Sequence, residues 1–465
     1  MKCAMALKGC GGCRGMDQAY PETLREKEAA FRRLFPDALP IVAAPQPLRY
    51  RNKVLRSFAN GKTDLYAGIY RAGTHQILSV RECLLENSRA SKIAMTALRI
   101  LTEMGLPAYR EDFGKGLLRH MQVRRCPGTG EALFTLVTGK RDFPQGKEFA
   151  ARLMAECPEV KGVTQNINDR ATSAVMGFQD RLLGGRDEIQ DELCGLRVFL
   201  TSRSFYQVNS AMAAKLYEYA IHAAGLSKSD TVLDAYCGVG IIGMLAAKSA
   251  GHVTGIELVR PAVECARKAA RENGLTNMDF LCGDAAQALQ KQGRHFTAVF
   301  TDPPRAGCSP EFLSALLAAA PEKIVYISCC PETLRRDADI LLAHGYKMER
   351  PRPFDLFPYT EHMEAVCLLS KLSGAKHHVE VELNLDEMDL TSAESKATYK
   401  EIKAYVREHT NLNVSKLYIA QTKRKCGIIE RENYCLPKNE DSRQPQCPPE
   451  KEKAIRDALK HFQMI

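Results

Sequence analysis

The sequence predicts an α/β protein whose centre is a parallel sheet covered by helices over residues 201–373. Three observations carry this reading. Residues 201–373 alternate apolar strand-like runs with helical stretches, the pattern of parallel strands joined by crossover helices. Residues 40–200 show short strand-like stretches broken by turn residues, which suits an α+β domain. Residues 374–465 follow Ser373-Gly374 with two or three helices of their own, a small mainly helical domain. A chain of 465 residues exceeds what one hydrophobic core serves. Three domains are therefore expected, over 1–200, 201–373 and 374–465, with no internal repeat or low-complexity tract.

Composition narrows the class. The chain is 45% hydrophobic and 26% charged, ordinary for a globular protein. A formal charge of +10 allows a polyanionic partner without requiring one, and fits a merely basic enzyme as well. The start, Met1-Lys2-Cys3, leads into Lys8 and several glycines rather than the apolar core of a secretory signal. No run of about 18 apolar residues exists, so no membrane span is expected. A cytoplasmic monomer is the expectation. There, 17 cysteines read as metal ligands, catalytic thiols or buried small hydrophobes, not disulfides.

In chain order, the first region opens with Cys3, Cys10 and Cys13, and Cys83 in Arg81-Glu82-Cys83-Leu84 is a distant fourth thiol. Four thiolates suit a [4Fe–4S] cluster and equally a structural zinc; the spacing does not choose. A charged helix is predicted from Glu22 to Phe35, with strands at Asp64–Tyr70, Gln76–Val80, Gly116–Val123 and Ala132–Val137.

The central region begins a strand at Thr231 that runs through Asp234 into Tyr236-Cys237-Gly238-Val239-Gly240, followed by a helix from Ile241 to Ser249. Glycines here let backbone approach a ligand at a helix N-terminus. A second strand, His252–Ile256, ends in Glu257, placed to accept hydrogen bonds from ribose hydroxyls. A third, Met278–Leu281, is followed by Gly283-Asp284, where an acid could meet an adenine amine. Gly243 completes a Gly-x-Gly-x-x-Gly pattern, so the glycines alone admit a nicotinamide dehydrogenase. The later motifs decide against it.

The fourth strand, Phe296–Thr301, runs into Asp302-Pro303-Pro304-Arg305. Amino-directed methyltransferases carry an aromatic residue where Arg305 stands, which argues against attack by an exocyclic amine. The fifth, Lys323–Ile327, ends in Ser328-Cys329-Cys330-Pro331 before a helix starting near Glu332. Thiols at a strand's carboxyl end beside a helix N-terminus occupy the ligand position of an α/β sheet, where a thiol is activated; two small buried cysteines are the plain alternative. Glu364 lies at the mouth of a last strand, Ala365–Leu369. Such a set suits methylation at carbon 5 of uracil. Thiolate addition at carbon 6 makes carbon 5 nucleophilic toward a sulfonium methyl, and a base then removes the carbon 5 proton.

These residues resemble the RNA uracil-5-methyltransferase family, specifically its iron–sulfur branch acting on 23S ribosomal RNA, over roughly residues 1–372. The family's Ser-Cys-Asn-Pro motif stands here as Ser328-Cys329-Cys330-Pro331, which implies Cys329 as nucleophile, with Cys330 in place of Asn. The family's Phe-Pro-x-Thr-x-His-Val-Glu is Phe357 to Glu364, which implies Glu364 as proton acceptor. Phe205-Tyr206-Gln207-Val208-Asn209 is similar to a segment whose glutamine contacts S-adenosyl-L-methionine. Tyr236, Glu257 and Asp302 match other binding positions, beside Gly238, Gly240 and Asp284. The resemblance favours a [4Fe–4S] cluster on Cys3, Cys10, Cys13 and Cys83. It is closest to the subgroup usually called RlmC, which lacks an amino-terminal oligonucleotide-binding barrel. Arg51-Asn52-Lys53 matches that subgroup's basic segment and otherwise reads as a solvated turn. The implied substrate is a uridine in a single-stranded loop, since carbon 5 is unreachable inside a stack. The region 14–200 is the expected RNA-gripping surface.

Residues 374–465 lie outside the resemblance. Helices are expected at Ala393–His409, Val414–Lys425 and Pro448–Phe462, with a strand at Gly427–Tyr434. The first two, joined by Thr410-Asn411-Leu412-Asn413, admit a helix-turn-helix carrying Lys423-Arg424-Lys425 or a generic helical interaction domain. Two further functions stay open: a non-catalytic RNA-binding or ribosome-assembly protein, and a methyltransferase acting on transfer RNA, DNA or a small molecule.

Overall fold

The computed structural model describes residues 3–61, 64–110, 114–170, 174–291, 295–372, 399–410, 412–426 and 447–462. Packing divides the chain into two units, Met1–Ala375 and Lys376–Ile465.

The first unit holds two large sheets. One has seven strands: β1 (Lys53–Asn60), β2 (Leu65–Tyr70), β3 (Ile77–Ser79), β4 (Leu118–Arg125), β5 (Ala132–Thr138), β6 (Val160–Ile167) and β7 (Gln179–Gly185), ordered β3-β2-β1-β4-β5-β6-β7. Every neighbour is antiparallel except β5 and β6. Their parallel pairing needs a crossover, and helix α3 (Gly146–Glu156), which follows α1 (Tyr20–Leu34) and α2 (Ser88–Glu103) in the chain, supplies it. Helix α2 starts where the Asn87 side chain accepts the backbone N–H of Arg89 and Ala90. Its apolar stripe, including Ala90, Ile93, Ala97 and Leu101, buries against the sheet. A hairpin of β8 (Glu188–Leu193) and β9 (Leu196–Thr201) stands apart from the sheet.

The second sheet comprises β10 (Thr231–Ala235), β11 (His252–Glu257), β12 (Met278–Cys282), β13 (Ala298–Thr301), β14 (Lys323–Ser328), β15 (Tyr346–Met348), β16 (Arg352–Phe354) and β17 (Glu364–Lys371). Its order is β12-β11-β10-β13-β14-β17-β15, with β16 pairing β17. Strands β10 to β14 are mutually parallel. They read as near-continuous apolar runs because helices cover the sheet: α4 (Ser210–Ala224), α5 (Ile241–Ala247), α6 (Arg260–Glu272), α7 (Ala285–Lys291), α8 (Pro310–Ala319) and α9 (Pro331–Ala343). The strand–helix alternation expected over 201–373 is present, with ends shifted by a residue or two. Strand β17 runs antiparallel and inserts between β14 and β15. The architecture is a Rossmann-like α/β fold.

The amino-terminal helix α1 does not stay with the first sheet. Its Phe31, with Phe35 and Ala38, joins the core beneath β13, β14 and α9. Its Lys27 is buried and pairs with the fully buried Asp355 at 2.5 Å.

In the second unit, α10 (Tyr399–Thr410), α11 (Lys416–Lys425) and α12 (Pro449–His461) enclose a small core of Ile402, Val406, Ile419, Ile455 and Leu459. Tyr405 stacks between His409 at 4.0 Å and His461 at 4.4 Å. Of the basic run on α11, Lys423 is buried and Lys425 pairs with Glu452 at 2.5 Å, so both serve the unit's own packing. The strand expected at Gly427–Tyr434 lies outside the described residues.

Candidate active site

Five strand ends of the second sheet converge at its carboxyl edge, where open α/β sheets bind ligands. Strand β10 carries the buried Asp234, whose Oδ2 accepts the Gly243 N–H at 2.7 Å. A Cβ on Gly243 would lie 2.9 Å from that oxygen. The third glycine of the pattern is thus required by the Asp234 carboxyl, not by a dinucleotide. The chain then turns through Tyr236, at φ 60°, and Gly240, at φ 82°. The Tyr236 ring meets Phe312 edge-on at 5.3 Å. Glu257, at the end of β11, accepts the N–H of Gly238 at 3.1 Å and of Val259 at 2.8 Å. Its carboxylate is therefore fixed, with acceptor capacity left for hydroxyl donors. Asp284 is exposed and accepts the Gln287 N–H at 3.0 Å, so it also caps the first turn of α7.

Gln207 is buried in the link between β9 and α4. Asn52 holds that link: its Nδ2 donates to the Gln207 carbonyl at 2.9 Å and its backbone N–H to that of Val208 at 2.9 Å. The middle residue of the basic segment is thus a clip between the two sheets rather than a solvated turn. Asn209 caps α4, accepting from Met212, and donates to the Leu356 carbonyl at 3.1 Å.

The residues expected to react sit at the ends of β13, β14 and β17. Asp302 follows Thr301, which pairs with Tyr326 of β14. In the antiparallel register of β14 and β17, Ser328 lies opposite Ala365. Cys329 follows Ser328 and Glu364 precedes Ala365, so two residues far apart in sequence come near one another, and Glu364 is the first charge acting on the Cys329 thiol. Ser328 fixes the turn, its Oγ donating to the Cys330 carbonyl at 2.9 Å and accepting that residue's N–H at 3.1 Å. Cys330 turns outward, its thiol donating to Glu332 at 3.3 Å.

Electrostatics bind the three groups together. The Cys329 thiol is pushed up to about 12, first by burial, then by the charges of Glu364, Asp302 and Cys330; Arg305 pulls it back down. Glu364 is 2% exposed, and burial followed by Asp302 drives it well above the ordinary carboxylate range. Its Oε2 has no hydrogen-bond partner among the described residues. Burial raises Asp302 above the ordinary carboxylate range, beside the likewise raised Glu364. Asp234 rises to about 7, by burial and then by Asp302 and Glu257, against the pull of the Gly243 N–H. Arg305, noted in the sequence for the aromatic it replaces, reaches His362 Nδ1 at 3.4 Å. Sequence reasoning missed the buried Tyr217 on α4, which is driven up by burial and then by Asp302 and Glu364.

The amino-terminal cysteines also gather. Burial raises Cys13 to about 11, and Cys10, Cys3 and Cys83 add to the rise in that order. Cys10 Sγ accepts the Gly12 N–H at 3.4 Å. Among the described residues, no three or more His, Cys, Asp or Glu side chains are placed to hold a metal ion. The same segment touches the loop before Glu364, the Arg14 N–H donating to the Tyr359 carbonyl at 2.8 Å. Tyr50, packed with Cys13 and Cys83, donates its hydroxyl to the Pro358 carbonyl at 3.1 Å.

The model of the tRNA (Uracil-5-)-methyltransferase family matches residues 129–372. An uncharacterized RNA methyltransferase of Listeria innocua is 38% identical over 79% of this chain and 83% of its own length. The chain belongs to the RNA uracil-5-methyltransferase family. A second relative, from Halalkalibacterium halodurans, is 34% identical over 77% of this chain and 81% of its own. Among solved structures, the Pyrococcus abyssi tRNA (uracil-54, C5)-methyltransferase in complex with S-adenosyl-L-homocysteine matches with a TM-score of 0.66 and 25% identity. It covers 78% of this chain and 86% of that one. Membership makes this protein an RNA methyltransferase that uses S-adenosyl-L-methionine. No described helix is long and apolar enough to cross a membrane.

The raised acids fix the sign of a pH effect. A carboxyl whose folded pKa exceeds its unfolded value of about 4 gives stability that is full at low pH and fades as pH rises through the folded value. Asp234, raised to about 7, places that loss between about 4 and about 7, and Asp302 is raised in the same direction. Without ligand, Asp302→Asn should therefore lose less Tm than the unaltered protein between about pH 5 and about pH 8. Identical slopes in thermal scans would contradict the desolvated state of Asp302.

Proposed function

We propose that this protein methylates carbon 5 of a uridine in 23S ribosomal RNA, with Cys329 as nucleophile and Glu364 as base. The observation that carries the reading is the apposition of Cys329 and Glu364 across β14 and β17, with Asp302 beside both. The amino-terminal domain over 1–200 grips the RNA, 201–373 does the chemistry, and 374–465 is accessory.

The pocket is arranged to hold its acids protonated until a cation arrives. S-adenosyl-L-methionine carries a positive sulfonium, and an opposite charge nearby favours the ionised forms of Asp302, Glu364 and the thiol. Gln207, Tyr236, Gly238, Gly240, Glu257 and Asp284 line the donor's place along the strand ends. The thiol must lose its proton before attack, and Asp302, whose charge acts on the Cys329 thiol, is the carboxylate that takes it. Cys329 Sγ then bonds carbon 6 of an extruded uracil, sending the double-bond electrons to the carbon 4 oxygen. Carbon 5 takes the methyl as its bond to sulfur breaks, leaving S-adenosyl-L-homocysteine. Glu364 removes the carbon 5 proton, the ring double bond re-forms and the thiolate departs. The unpartnered Oε2 of Glu364 is the oxygen free for this proton.

Cys3, Cys10, Cys13 and Cys83 would hold a [4Fe–4S] cluster. An all-sulfur donor set suits it, and so does a backbone N–H on Cys10. A cluster takes one thiolate per iron and so spaces its ligands more widely than zinc, whose sulfurs all lie about 2.3 Å from one ion. When bound, it would tie Cys83 to the amino-terminal segment and could carry an electron. After anaerobic reconstitution, iron and sulfide should bind and Cys13→Ser should lose both; stoichiometric zinc in their place would overturn the assignment.

Transfer RNA is the second reading, favoured by the substrate named for the Pyrococcus abyssi neighbour. Labelled methyl transfer to unmodified 23S RNA and to transfer RNA, followed by nucleoside analysis, separates the two. Cys329→Ala should abolish turnover, by at least about a thousandfold for loss of a nucleophile. Glu364→Gln should accumulate RNA joined covalently to protein. A fully active Cys329→Ala would contradict the mechanism.

A further inference from the structure

Glu364 is the first residue of β17, so the loop leading into that strand sets where its side chain starts. Its Oε2 has no partner among the described residues. That loop, Asp355 to Met363, carries an unusual fastening. Lys27 of α1 donates to Asp355 Oδ1 at 2.5 Å, to the Phe357 carbonyl at 2.9 Å and to the His362 carbonyl at 2.7 Å. An ammonium has three donors, and all three are spent on this one loop. Asp355 is held on its other oxygen by the Tyr20 hydroxyl at 2.8 Å, which in turn accepts the Ala44 N–H at 2.8 Å.

The geometry closes a ring. Phe357 and His362 are brought onto a single nitrogen, which pins both ends of the turn between them. Within it, Thr360 donates through its N–H and its Oγ1 to the Phe357 carbonyl, the His362 N–H donates to Thr360 Oγ1, and Tyr359 adopts φ 60°. Two residues after His362 the chain reaches Glu364. A buried cation is costly to desolvate and is retained where it specifies an arrangement. An apolar side chain of the same size would fill the space without ordering two carbonyls.

We propose that Lys27 is the positioning residue for the catalytic base, fixing the 355–364 loop so that Glu364 faces the carbon 5 proton. Its three donors are spent on the loop, so it acts on the base through that loop. The proposal rests on Glu364 being the base. Loss of Lys27 therefore slows proton removal, the last chemical step, more than methyl transfer, and leaves donor affinity unchanged.

The test uses the full chain with RNA that the unaltered protein methylates. Lys27→Met should lower kcat by about tenfold to a hundredfold, as misplacement of a catalytic group does. It should leave the Kd for S-adenosyl-L-homocysteine within about twofold and raise the fraction of RNA held covalently on the protein. Lys27→Arg, which keeps the donors, should recover part of kcat. The single variant leaves Asp355 unpaired and could unfold, so Lys27→Met/Asp355→Asn removes both charges; this folded double variant should still accumulate adduct. Full turnover in it, or folded Lys27→Met with no adduct, would overturn the proposal. Glu364→Gln separates the two ideas. If it accumulates adduct while folded Lys27→Met does not, only the role of Lys27 falls. If neither does, the base assignment falls and the proposal with it.

Discussion

The site depends on the antiparallel insertion of β17 beside β14. Five parallel strands bring their carboxyl ends to one edge, but such ends alone supply acids and thiols that point the same way. A strand entering from the opposite direction brings its first residue to that edge instead. Ser328 opposite Ala365 brings Cys329 and Glu364 near one another. A one-residue slip would turn Glu364 to the other face of the sheet. The register is fixed on both sides of β17, by β14 and by the pairing of Phe354 with Glu364 in β16.

Desolvation governs the chemistry that this register permits. Glu364, Asp302 and Asp234 are all raised by burial, and the first and last also by a neighbouring carboxyl. Such a pocket resists being empty and ionised, and a sulfonium relieves it by its charge. Buried charge is handled the other way a short distance along the chain. There Lys27 and Asp355 form a complete ion pair with every donor used. The paired charges hold the loop, and the carboxyl at its end keeps one oxygen with no partner among the described residues. The amino-terminal cysteines abut this loop through Arg14 and Tyr50.

Much of this was legible in the sequence because it is local. The alternation over 201–373 follows from apolar periodicity, and the acids and thiols fall at strand ends because turns follow them. Glu364 was read as lying at the mouth of the last strand and is its first residue. Long-range partners carry no local signal. Lys27 is one lysine on a charged helix, and its acceptor lies 328 residues away. Asn52 sits between two basic residues and reads as polar surface, yet it clips the Gln207 segment. Gly243 looked like part of a dinucleotide pattern because the same residue type serves any close approach, here of the Asp234 carboxyl. Helix α1 joins the second core through Phe31 although its sequence adjoins the first sheet.

The most direct test of the central claim is to trap the covalent complex. RNA whose uridines carry fluorine at carbon 5 would be incubated with the protein and S-adenosyl-L-methionine, since fluorine cannot leave as a proton does. The protein would then be digested and its modified peptide sequenced by mass spectrometry. The expected result is a methylated fluorouridine joined to Cys329. An adduct on Cys330 or on another cysteine, or none where methyl transfer to ordinary RNA is complete, would contradict it.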